Sequence, residues 1–163
     1  EELIHLQLML SGVQLSSPGN RHLIVQTATM LQNVVHHHVI FPALTELGYK
    51  TRDAECEGIS KQLSVLENSS DLERANSDTE LEALMAILYA RAHLDCGTID
   101  VMTRLDRIYS TSALSGARHM GMRVASVIQQ QSDPSAHACR KTLAECLGLL
   151  GLSGVIGISP HNA

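Results

Sequence analysis

Apolar positions recur at helical spacing along most of the chain. In residues 1–14 they fall on nearly every side (Leu3, Ile4, Leu6, Leu8, Met9, Leu10, Val13), the pattern of a short buried helix. The cluster Ser16-Ser17-Pro18-Gly19-Asn20 then marks a turn, with Asn20 placed to cap the next helix. Over residues 21–47, Leu23, Met30, Leu31, Val34, Phe41 and Leu44 keep to one broad face at about 100° per residue. Pro42 removes an amide near the end of that segment, and Gly48 stands where a C-cap glycine is usual.

A third helical segment, residues 53–66, aligns Cys56, Ile59, Leu63 and Leu66 on one side. Polar residues 68–76 separate it from Ser77-Asp78-Thr79-Glu80, which reads as a capping box opening a long fourth helix over residues 80–109. The main stripe of that helix is Leu81, Leu84, Met85, Leu88, Ala92, Ile99 and Met102. A second stripe of Ala86, Ala90, His93, Gly97 and Val101 sets small residues above and below His93. Two further helices are predicted at residues 113–128 and 136–150, with a break at 129–134. The Gly- and Ser-rich residues 151–163 read as a loosely held tail.

This order predicts an all-α fold: an up-down-up-down four-helix bundle over residues 1–110, with a C-terminal helical extension, 111–163, packed on the same domain. Composition agrees. A chain of 163 residues is most simply one domain, and its single Phe, three Tyr and absent Trp leave the core to aliphatic side chains. The basic residues are scattered and the net charge is −5, so nothing argues for nucleic acid as a partner. No apolar run approaches the roughly 20 residues that span a bilayer. The start Glu1-Glu2-Leu3-Ile4-His5 has no basic n-region. Four cysteines in a chain this size do not make a disulfide framework. The expectation is a cytoplasmic protein with reduced thiols and no membrane contact.

Candidate chemistry centres on His36-His37-His38, three of nine histidines, inside the second helix. On the apolar wheel His38 falls within the stripe, His37 at its edge and His36 on the far side. One nitrogen or sulfur donor stands on each helix: His5, His36 or His38, Cys56 and His93, a reasonable tetrahedral set for a metal ion. Asp95 falls in the main stripe of the fourth helix and is placed to reach inward. No Gly-rich phosphate loop, nucleophile elbow or C-x-x-C pair occurs.

Over residues 1–107 the order and spacing resemble the hemerythrin-type, HHE cation-binding bundles. Val39-Ile40-Phe41-Pro42-Ala43-Leu44 is similar to the end of that family's second helix, and Asp53-Ala54-Glu55-Cys56-Glu57-Gly58-Ile59 to the start of its third. Ala92-His93-Leu94-Asp95-Cys96-Gly97-Thr98-Ile99-Asp100 resembles its fourth-helix motif, and His5 occupies the place of its first-helix histidine. The resemblance implies a non-heme di-iron centre that meets dioxygen or peroxide. The matched positions depart from it: Gln32 and Cys56 stand where the family has His, and His36 and Gly97 where it has bridging acids. With no bridging acids, at most one iron or zinc per chain is expected, in an oxygen-, redox-, peroxide- or metal-responsive protein, with a homodimer left open. A metal-free bundle serving as an interaction or scaffold module is the alternative.

Overall fold

The computed structural model describes residues 13–15, 21–69, 72 and 78–158. Its elements are β1 (Val13–Leu15), α1 (Arg21–Glu46), α2 (Thr51–Glu67), α3 (Thr79–Arg91), a π turn (Ala92–Cys96), α4 (Ile99–Tyr109), α5 (Ser115–Gln129), α6 (Ala136–Leu149) and β2 (Ile156–Ile158). A short 3-10 turn, Ser112–Leu114, leads into α5. The fold is helical, as expected, with six α-helices packed on one core among the described residues.

The centre of that core is α3. Ala83, Leu84, Met85, Ala86, Ile87, Tyr89 and Ala90 are all buried, so the helix is covered on almost every side. It packs most extensively on α5 and then on α1. The approach to α5 is close because Gly121 has no side chain: a Cβ there would stand 2.6 Å from the Ala86 carbonyl oxygen and 2.9 Å from Tyr89 Cβ. The Tyr109 hydroxyl donates to the Met85 carbonyl at 2.6 Å, and its ring meets Tyr89 edge-on. Residues 111–158 therefore supply much of the interior, with Leu114, Ala117, Val124, Ile128, Cys146 and Leu150 in the same core as α1 and α3.

Several local expectations change. The long fourth helix is two helices: α3 ends in the π turn, Gly97 turns back at φ +64°, and the Thr98 hydroxyl accepts from Val101 N to start α4. The extra residue of the π turn rotates everything beyond it. Ile99, in the predicted stripe, is 88% exposed, while Val101, Leu105 and Ile108 face the core. At the start of α3 the cap is Asp78, whose carboxylate accepts from Leu81 N at 3.0 Å. The capping-box serine, Ser77, lies outside the described residues, as does Asn20.

Both chain ends also differ. Residues 1–12 of the predicted first helix lie outside the described residues, and Val13–Leu15 is a strand. It pairs antiparallel with β2, Val13 opposite Ile158 and Leu15 opposite Ile156. The predicted loose tail is thus tied down in part: Leu152 and Ile156 are buried, and branched side chains suit the pleated backbone of this small ribbon. By contrast α1 closes as read, with Pro42 near its end and Gly48 at φ +86°. No described helix is long and apolar enough to cross a membrane.

Candidate metal centre

Three elements meet at one place: the middle of α1, the first turns of α2, and the junction of α3 with the π turn. The His37 Nδ1 lies 3.0 Å from Asp95 Oδ2. The His37 ring stacks on Phe41, four residues on, with centroids 4.3 Å apart, which fixes the imidazole plane. Asp95 is 2% exposed, an unusual burial for a carboxylate unless it is paired. Its second neighbour is Arg91, whose Nε stands 3.9 Å from the same oxygen. Arg91 Nη2 donates to Glu55 Oε2 at 2.5 Å, and Nη1 donates to Gln62 Oε1 at 3.2 Å.

Donor atoms of His37, Glu55 and Asp95 all lie within 4.8 Å of one another. Ligands at ~2.1 Å in tetrahedral geometry stand about 3.4 Å apart, so a small inward movement would place all three on one ion. One imidazole with two carboxylates suits zinc, iron or manganese. The competitor is the Arg91 guanidinium, which already balances the two carboxylates. Beside it a recess of about 240 Å³, lined by Gln26, Thr29, Met30, Asn33 and Arg91, gives that side chain room to turn away.

The π turn sets this geometry. Sequence periodicity put Asp95 inward and His93 at the bundle interior; the structure buries Asp95 and leaves His93 exposed. Of the other sequence candidates, His36 is buried at 2% exposure and His38 is half-buried. The apolar wheel alone places His36 on the far side, whereas the family-matched position, where the resemblance has a bridging acid, places it inward, and the structure has it buried. It is buried because α1 packs on α3, α6 and α2, so more than one of its faces is covered. His5 lies outside the described residues. Cys56 is bonded to Cys96, with Cα atoms 5.0 Å apart, which corrects the expectation of reduced thiols throughout and takes its sulfur out of a ligand set in this state. Cys139 and Cys146 are free and buried.

No three of His36, His38, Cys56 and His93 converge among the described residues. A di-iron pair does not fit the family-matched positions, since Gly97 offers no donor, Cys56 is in a disulfide and His93 faces outward. Glu55 and Arg91 were missed from sequence, although one signal was there: an acid directly precedes each cysteine of the bonded pair, Glu55-Cys56 and Asp95-Cys96. No protein-family model, curated protein or solved structure matches the chain.

Proposed function

We propose that the protein binds one divalent metal ion, zinc or iron, through His37, Glu55 and Asp95. The observation that carries this reading is the convergence of one imidazole and two carboxylates from three separate elements. Arg91 serves as the resident counter-charge and yields its place when the ion enters. An iron ion held by three protein side chains keeps positions open for dioxygen or a peroxide, which fits an oxygen-, redox- or metal-responsive role. The hemerythrin-like bundle stays part of this proposal only as a helical frame, with the ligand set moved by one residue on α1 and to the acids beside the cysteines.

A second reading is favoured by the Arg91–Glu55 bond itself. In it the cluster is a metal-free ionic tie between helices, and the protein is an interaction or scaffold module. Untagged protein titrated calorimetrically with Zn2+, and anaerobically with Fe2+, separates the two. One ion per chain, lost in His37→Ala, supports the metal reading. No binding of either ion overturns it in favour of the scaffold.

A further inference from the structure

The Cys56–Cys96 disulfide joins the two segments that carry the site's carboxylates. Glu55 precedes Cys56 on α2, and Asp95 precedes Cys96 at the end of the π turn. We propose that this disulfide is a redox gate on the metal site, holding Glu55 and Asp95 in register when formed and releasing the Asp95 segment when reduced. The proposal rests on the metal reading above and adds its regulation.

Three observations carry it. The segment bearing Asp95 lies where the regular helical ladder fails: Gly97 N bonds to Ala92 O at 3.0 Å in the π turn, and α4 starts afresh from the Thr98 cap. Arg91 ties this junction to α2 through Glu55 and Gln62, and Arg104 ties the start of α4 through Ser60 and Glu67. The disulfide is the one covalent tie, placed directly beside both carboxylates. Arg91 balances the two carboxylates in the metal-free site, and when it yields to the ion a cross-link one residue from each keeps them together. Finally, Cys56 and Cys96 are both half-buried, so a reductant can reach sulfur, whereas Cys139 and Cys146 are buried and burial pushes both thiols up from their ordinary pKa. The more accessible pair is the one placed to respond.

The reductant is a dithiol. One of its thiolates attacks a sulfur of the pair; the Cys56–Cys96 bond breaks and its electrons leave on the other cysteine. The donor's second sulfur then attacks the mixed disulfide, releasing the remaining cysteine thiolate and the donor as its own disulfide. Two electrons pass to the protein, and the two thiolates take protons from solvent. In a reducing compartment this exchange sets the site in its weak state, and oxidation restores the strong one.

The test compares Zn2+ affinity of the oxidised protein with that of Cys56→Ala/Cys96→Ala, which contributes no thiolate of its own. A reduced and carbamidomethylated sample, freed of reductant, repeats the comparison on the native sequence. Hydrogen exchange of the metal-free protein over residues 91–98 gives a reading independent of metal. Affinity lower by about 10–100-fold in both altered samples, the usual cost of losing a supporting contact around a metal, together with faster exchange, is the expected result. Equal affinity in all three samples overturns the gate and leaves the metal reading standing. No zinc binding in any sample overturns both. Loss of the fold in both altered samples also overturns the gate, because the disulfide is then structural.

Discussion

His37 Nδ1 and Asp95 Oδ2 are 3.0 Å apart although 58 positions separate them in the chain. The contact closes α1 onto the π turn, and it brings a largely buried imidazole to a carboxylate that water scarcely reaches. A buried acid in this setting is stable only with its partners, so Asp95 organises both the packing and the chemistry of this corner.

Replacement of Asp95 by Asn tests that dependence. The amide keeps the volume and removes the charge facing His37 and Arg91. A broken buried charged hydrogen bond costs about 1–3 kcal/mol, which for a chain of this length lowers the melting midpoint by ~2–4 °C per kcal/mol. Thermal melts in the presence of a chelator should show the loss without metal. An unchanged midpoint would mean that the His37–Asp95 contact is incidental.

Arg91 gives an opposite pair of effects. Arg91→Gln removes the cation that competes with a metal, so Zn2+ affinity should rise. The same change leaves Glu55 and Asp95 facing each other with less counter-charge, so the metal-free protein should be less stable by ~1–3 kcal/mol. Calorimetry and urea denaturation read the two effects separately. Lower stability without higher affinity would favour the scaffold reading.

A packing prediction concerns the α3–α5 contact. Gly121→Ala drives a methyl into the Ala86 carbonyl and the Tyr89 ring, neither of which can yield cheaply, and should cost about 1–3 kcal/mol. Gly58→Ala provides the contrast: it lies inside α2 with open space around it, and should stabilise the protein by ~0.5–1 kcal/mol through helix propensity. Urea midpoints moving in the same direction for both variants would refute the close-approach account.

The sequence made long, capped helices legible and left their junctions obscure. The α1 segment was readable because its stripe is sustained and Gly48 ends it. Residues 80–109 misled because Leu81 to Ala92 and Met102 share a period across the break, while the markers of that break, Gly97 and Thr98, are only two residues long. The site was half-legible for the same reason. Asp95 follows from the α3 pattern, but the exposure of His93 depends on a π turn that no periodicity predicts. The choice among His36, His37 and His38 depends on how many helices cover α1, which is tertiary information. Glu55 and Arg91 look like ordinary charged residues on helix surfaces until α2 and α3 are brought together.

The last prediction concerns alkaline pH. Burial pushes the Cys146 thiol up to about 12 from an ordinary 9.0, and burial also raises Cys139 and, more strongly, the Tyr109 hydroxyl. These groups are neutral in the fold and ionise more readily in the unfolded chain. A raised acid pKa therefore favours the native state fully below the unfolded value, and the advantage is lost as pH climbs from about 9 towards the folded value. Each such group takes away up to ~1.4 kcal/mol per pH unit across its window. Unfolding free energy should accordingly be flat between pH 7 and 8.5 and fall steeply from pH 9 to 11. The buried thiols should stay inert to iodoacetamide at pH 8 until the protein unfolds. Cys146→Ala should start less stable, since it opens a small cavity, yet show a shallower alkaline slope than the parent. An unfolding free energy that holds level to pH 11, or native thiols that label at pH 8, would show that Cys146 is not held in the interior as its packing implies.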